Sequence, residues 1–597
     1  MIILIILGLL QALILPGLIC SYYLKNVNFA DRILLASTLS LISNYPIVWL
    51  LYALNIYSQT SLLVLIALEL LVLFKLRALF CADLKQASQC AYAFITNSIK
   101  TKAISFYALF FILFCVYYFY LLKTSGFLTV FTHWDAVVSW NRWAVELYEG
   151  TFQGSRGYPL AVPILSSIIY VISNETNIQT LVKYIYVYWP FLGGLALFCC
   201  GLHAPKIKNV FAVASFFYLY LLSKGSYTVD FIFSGLMDPI MAAFGAIFVH
   251  HVLCMTAKPS IESPEYKKIV TLALISIAGG ALVKMTGVFL LFDFVVVASC
   301  IIFYDKQLQQ HKRYFLLLLF GVLALAVHWY LLTTLYWRDW QPISEYSSLQ
   351  DPRIWLRPYL HFVLFGSTFG WLFVGLVLSG LFYSKRTCVL FLLLLVPLFI
   401  FCGIVVGYDL RAAFVLFAPI SILAALGVSW IGQSLAQLSD GLTNVLNIRP
   451  RLSVYVSLMM VVAATAVLVL GLTAVMSRDK VLSSNTEKRV AANDFAEGGN
   501  KRLLQIFEAE PKARILSCWQ TPVGLPGAKG RFIPSGDCTV TLLQGWLADA
   551  GTKYWLYRDE GSPTQLLMPA VVAQVLAQSP VTIHAEPIGS GFILYSK

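Results

Sequence analysis

Apolar runs of about twenty residues recur from the first residue to position 476, parted by short loops, and this spacing decides most of what the chain can become. A run of that length covers the hydrocarbon core of a bilayer as a helix, because a helix satisfies its own backbone where water cannot. We place spans near 2–22, 33–54, 61–79, 104–122, 181–201, 208–223, 230–254, 268–283, 286–304, 314–337, 359–383, 388–406, 412–433 and 453–476, about fourteen in all. Composition agrees. Of 597 residues, 59% are hydrophobic and only 12% charged, against about 25% charged in soluble domains. The fold class expected is an α-helical polytopic membrane protein over residues 1–476, with a small α/β domain at 477–597.

The net charge of +13 would suggest a nucleic-acid partner in a soluble protein. Here the Lys and Arg residues sit in short loops between apolar runs, among them Lys25 and Arg32, Lys75, Arg77 and Lys85, Lys206 and Lys208, Lys258, Lys267 and Lys268, Lys312 and Arg313, and Arg449 and Arg451. Counted through the spans, these loops alternate onto one side, which the positive-inside rule makes the cytoplasm. No nucleic acid is therefore expected; the bilayer is the partner. The parity requires that Tyr158 to Ser173 (YPLAVPILSSIIYVIS) does not cross, and we read that stretch as interfacial or re-entrant. The N-terminus, the loop 124–180 and the domain 477–597 then lie outside the cytoplasm. The first run resembles a signal sequence but has no basic residue ahead of it and no convincing cleavage site, so it is read as a retained span. Cysteines such as Cys20, Cys115, Cys199, Cys200 and Cys300 lie in apolar runs and read as small hydrophobes; no metal-ligand spacing appears among them.

The loop 124–180 holds the segment THWDAVVSWNRWAVELYEG. On a helix, Asp135, Ser139, Arg142, Glu146 and Glu149 share one face, while Ala136, Trp140, Trp143, Ala144 and Leu147 share the other. That pattern suits a helix lying on a membrane surface, with the acid Asp135 in its first turn. By the same parity Lys284 in GGALVKMTGVFLL and Asp409 and Arg411 in GYDLRAAFVLFAP reach the same outer face. Asp230 and Asp238 flank the start of the seventh span, where an ionisable group is a functional candidate because burying it unpaired is costly. Glu345 stands in the loop RDWQPISEYSSLQDPRIWLRP, long enough to cover a site. Each residue also has a purely structural use. Asp135 and Asp238 suit helix starts, Lys284 can snorkel, Arg411 can pair with Asp409, and Trp134, Trp140, Trp143, Trp337 and Trp340 can form an interfacial belt.

The order WDAVVSWNRWAVELYEG, YPLAVP, GLMDPIMAAF, ALVKMTG and YDLRAAFVLFAP, over roughly residues 105–435, resembles the GT-C superfamily of integral membrane glycosyltransferases, especially its bacterial protein O-mannosyltransferases and aminoarabinose transferases. The resemblance implies a polyprenyl-phosphate sugar as donor, a glycan, lipid or protein acceptor, and Asp135 as the catalytic base. It also implies a bacterial inner membrane, with the site and the C-terminal domain periplasmic. Transfer with inversion needs a base for the acceptor hydroxyl and a cation for the departing phosphate, roles we give to Asp135 and to Lys284 with Arg411. Glu146, Asp230, Asp238, Glu345 and Asp409 remain as acceptor contacts or a second acid. Asp135 with Glu146 or Glu345 would supply carboxylates for a divalent metal, which the sequence leaves open. Two departures stand out: Ala136 follows Asp135 where the protein mannosyltransferases carry Asp-Glu, and no Trp-Trp-Asp triplet is present. A lipid-linked glycan flippase or transporter, or an O-antigen polymerase or ligase, is the alternative.

Beyond residue 476 the chain turns charged, with a helical pattern in NTEKRVAANDFAEGGNKRLLQIF and strand-like runs in ARILSCWQ, KYWLYRD, VTIHAEPI and GFILYSK. Cys518 and Cys538 both fall here, and an oxidising compartment would permit a disulfide between them. Acceptor binding or shielding of the site is the role expected of this domain.

Overall fold

The structure, a computed structural model, describes residues 1–24, 27, 29–86, 88–89, 106–124, 131, 136–152, 158–176, 178–224, 235–256, 263–304, 309–332, 368–404, 410–446, 499–518, 532–535, 540–549, 551–558, 569–589 and 592–597. The expected span at 453–476 lies outside these residues. Every other expected span falls on a described helix. The first comprises α1 (Ile2–Leu13) and α2 (Leu15–Ser21), bent by 42°. Pro16 accounts for the bend, since its ring removes a backbone donor and crowds the preceding turn. There follow α3 (Phe29–Ala53), α4 (Gln59–Lys75), α5 (Phe106–Thr124), α6 (Asn141–Glu149), α7 (Ala161–Ser173), α8 (Tyr184–His203), α9 (Lys208–Lys224), α10 (Asp238–Thr256), α11 (Ser263–Val283), α12 (Met285–Tyr304), α13 (Lys312–Leu332), α14 (Thr368–Leu381), α15 (Lys385–Ile404) and α16 (Phe417–Leu446).

Among the described residues, six helices are long and apolar enough to cross a membrane, or seven with the bent pair counted as one. Exposure supports the same environment. On α13, Leu317 and Phe320 are each 74% exposed, a waste of apolar surface in water but the ordinary outer face of a helix in hydrocarbon. The chain is a multi-pass membrane protein.

Helix α10 forms the axis of the bundle. It packs against α8, α11, α12 and α16 and against a 3-10 segment at Leu410–Leu416. Val415 comes so close that a Cβ on Gly245 would overlap its carbonyl. The stretch expected to be re-entrant contains α7, which at 13 residues is about 20 Å long, short of the hydrocarbon thickness. It is buried along nearly its whole length against α1, α3, α4 and α6.

The C-terminal elements are α17 (Asn500–Ala509), β1 (Ile515–Cys518), β2 (Phe532–Ser535), α18 (Val540–Ala548), β3 (Tyr554–Arg558), α19 (Pro569–Ala577), β4 (His584–Gly589) and β5 (Phe592–Ser596). They build a five-stranded sheet in the order β2-β1-β3-β5-β4. The β1 strand is parallel to β2 and β3, and β5 is antiparallel to β3 and β4. Alternation along β3 explains the layering. Trp555 and Tyr557 share a core with Leu543, Trp546 and Val572 of α18 and α19. Tyr554 and Leu556 belong to the core that includes Leu503 and Phe507 of α17. The four strand-like runs of the sequence correspond to β1, β3, β4 and β5; β2 went unread because FIPS, with its proline, carries little strand signal. Cys518 ends β1, and Cys538 lies outside the described residues.

Candidate functional site

The clearest meeting of expected site residues is at the start of α10. Asp238 opens that helix and Pro239 follows it. A proline loses nothing in a first turn, and a carboxylate there faces the positive end of the helix dipole. Across from it, α11 stops at Val283 and α12 begins at Met285, leaving Lys284 as the corner residue between two helices. The Gly287 N–H donates to the Lys284 carbonyl at 2.8 Å. A Cβ on Gly287 would overlap the Gly280 carbonyl, so only glycine lets the corner close this tightly.

That corner delivers Lys284 Nζ to within 2.6 Å of Asp238 Oδ1, with side-chain exposures of 10% and 3%. Sequence reasoning gave the two residues separate roles; the structure makes them one buried ion pair. Removing Lys284 takes from the buried Asp238 carboxylate the charge it faces at 2.6 Å, a loss that is costly inside a protein.

Arg411 stands near the head of the 3-10 segment Leu410–Leu416, which packs on α10 and α12, the two helices that Asp238 opens and Lys284 precedes. Asp409 lies outside the described residues, as do Asp135, Asp230 and Glu345. The residue after Asp135 is described. Ala136 begins a π-helical turn, Ala136–Trp140, that runs on into α6. It packs against Gly235, where a Cβ would come within 3.2 Å of the Ala136 Cβ and would overlap the Phe131 ring. Gly235 takes φ +94°, a left-handed turn suited to glycine, three residues ahead of Asp238. The chain neighbour of Asp135 thus abuts the turn that launches Asp238.

The amphipathic helix expected on a membrane surface is present, but its polar face does not look outward. Arg142, Glu146 and Glu149 are all buried. Arg142 Nε donates to Glu146 Oε1 at 2.7 Å, one helical turn apart, and Asn141 accepts from the Tyr170 hydroxyl of α7 at 2.6 Å. The i,i+4 pairing neutralises the face enough for α7 to cover it. Burial pushes the Glu146 carboxyl above its ordinary range, opposed by the charge and hydrogen bond of Arg142. Trp140 and Trp143, both buried, pack edge-on at 5.1 Å, and Trp140 meets the exposed Tyr158 at 5.5 Å.

Sequence reasoning passed over a second cluster at the far end of α10, where His250 and Cys254 meet His203 and Asp31. The available signal was HHVLC, two ligand types four residues apart on one helix face.

No protein-family model and no curated protein matches this sequence. Among solved structures, the chain is similar to ArnT from Cupriavidus metallidurans bound to undecaprenyl phosphate, with TM-score 0.51 and 12% identity, over 82% of this chain and 97% of that one. It matches the same ArnT in the apo state with TM-score 0.50 and 13% identity, over the same shares of the two chains. At such identity the likeness is one of fold, shared with ArnT.

Proposed function

We propose that the protein is a glycosyltransferase that moves a sugar from a polyprenyl-phosphate carrier to a hydroxyl of a glycan, lipid or protein at the periplasmic face of a bacterial inner membrane. One observation carries the reading: the buried Lys284–Asp238 pair sits at the turn against which the neighbour of Asp135 packs. The overall likeness to ArnT, a protein seen with undecaprenyl phosphate bound, supports a lipid-phosphate donor.

In this mechanism Asp135 accepts the proton of the acceptor hydroxyl as its oxygen bonds to the anomeric carbon. The bond from that carbon to the phosphate oxygen breaks on the opposite face, and polyprenyl phosphate departs as the anion. Lys284, held in place beforehand by Asp238, meets the charge that develops on the phosphate, and Arg411 adds a planar fork suited to the same oxygens. Asp238 is a positioning residue in this scheme. Glu146 belongs with Arg142 in the support of the helix that carries Asp135 to the site. The C-terminal sheet unit stands on the periplasmic side and contacts the acceptor.

The test is transfer by purified, detergent-solubilised protein from a panel of radiolabelled polyprenyl-phosphate sugars, wild type against Asp135→Asn. A loss of about a hundredfold or more with unchanged thermal unfolding is expected. Equal turnover in both proteins would remove Asp135 from the chemistry.

A further inference from the structure

Helix α10 ends in HHVLCMT, and its last turns meet side chains from two other helices. His250 and Cys254 stand four residues apart and so share a face; Cys254 Sγ lies 3.5 Å from His250 Nε2. His203 arrives in the last turn of α8, and Asp31 in the first turn of α3. The carboxylate spans the two rings, with Oδ2 2.8 Å from His203 Nε2 and Oδ1 3.2 Å from His250 Nε2. Ligand atoms of His203, His250 and Cys254 all fall within 4.8 Å of one another. Asp31 and His250 are buried and Cys254 is partly buried. Arg32, next in sequence to Asp31, is turned to Asp83 at 2.7 Å and to the carbonyls of Ser21 and Leu24.

We propose that Asp31, His203, His250 and Cys254 bind one divalent transition-metal ion of the zinc class. A tetrahedral zinc with bonds of about 2.0–2.1 Å to nitrogen or oxygen and about 2.3 Å to sulfur sets ligand-to-ligand edges of about 3.3 Å, or about 3.5 Å where sulfur is one partner. The contacts of 2.8, 3.2 and 3.5 Å are close to those edges; the two Asp31 distances come from different carboxylate oxygens, and the His203, His250 and Cys254 ligand atoms lie within 4.8 Å of one another, so side chains turn to complete the tetrahedron around the ion. One thiolate, two imidazoles and one carboxylate form a mixed donor set that suits zinc. Binding releases the Cys254 thiol proton and leaves both imidazoles neutral. Behind the ligands, His251 Nε2 lies 2.9 Å from the Ser276 hydroxyl, which donates to Thr38 at 2.6 Å, a polar chain that fixes the neighbouring turns of α3, α10 and α11. The site is separate from the proposed transfer chemistry, because His250 is twelve residues, about 18 Å, along α10 from Asp238. Its effect is to staple the ends of α3, α8 and α10, three helices that contribute one or two ligands each.

The competing arrangement holds the same contacts by hydrogen bonds alone, with protonated imidazoles around Asp31. Metal content of full-length protein purified without chelator, read by inductively coupled plasma mass spectrometry, separates the two. Cobalt(II) loading supplies a second readout through the thiolate-to-cobalt charge-transfer band. About one ion per chain is expected in the wild type, with the sulfur band present. The band should vanish in Cys254→Ser, and metal content should fall about tenfold or more in His250→Ala. Wild-type protein carrying no more metal than a His203→Ala/His250→Ala double variant, or loading with cobalt without a sulfur band, would overturn the proposal. Neither readout depends on whether the protein transfers sugar.

Discussion

The two ends of α10 solve the problem of buried polarity in opposite ways. At its start, one carboxylate and one ammonium, Asp238 and Lys284, face each other at 2.6 Å. At its end, the converging atoms of Asp31, His203, His250 and Cys254 include a carboxylate, two imidazole nitrogens and a sulfur. A pair of opposite charges compensates itself at close range. A ring of Lewis bases asks for a cation. In the two proposals above, one end of this helix receives a phosphate and the other holds a metal, and the difference lies in the groups brought to each end by neighbouring helices.

The strongest way to break that contrast is at the ion pair. Lys284→Met should lower sugar transfer about a hundredfold or more and cost about 3–5 kcal/mol of stability by leaving Asp238 buried and unpaired. Lys284→Met combined with Asp238→Leu should recover most of the stability and none of the transfer, as read by thermal unfolding beside the radiolabel assay. Transfer that returns together with stability would make the pair merely structural. A smaller effect is expected at the corner itself. Gly287→Ala forces the new Cβ against the Gly280 backbone and should cost about 1–3 kcal/mol while leaving metal content at the far end unchanged; loss of metal in this variant would show that the two ends are not independent. The smallest effect concerns Glu146. Its folded-state pKa is raised from 4.5 chiefly by burial, so its contribution to stability is fully present below pH 4.5 and is lost as pH rises through the raised value. Unfolding measured across that window should slope downward in wild type and run flatter in Glu146→Gln; parallel curves would show that Arg142 fully offsets the burial.

Much of the bundle was legible because a span announces itself by length and composition, and the expected spans up to 412–433 fall on helices. Lys284 meets Asp238 at one end of α10, and Asp31 meets His203 and His250 at the other. Partnership was not legible. Asp238 and Lys284 are 46 positions apart and Asp31 and His203 are 172, and no local pattern reports which helix will lie beside which. Reading the cysteines as small hydrophobes was sound for spacing along the chain, but the Cys254 ligand set is drawn from three helices and has no linear spacing to detect. The surface helix was misjudged for a related reason. Its polar stripe is real, yet Arg142 and Glu146 satisfy each other, so the stripe could be covered by α7 rather than left to water.

The shortness of α7 bears on how the protein is made. A segment of 13 residues is too short for insertion machinery to release into lipid as a span, so other helices must take it up. The partners it packs against most, α1, α3, α4 and α6, all precede it in the chain. Their receiving surface can therefore already be in the membrane when α7 leaves the ribosome, and the order of synthesis matches the order in which the bundle can close.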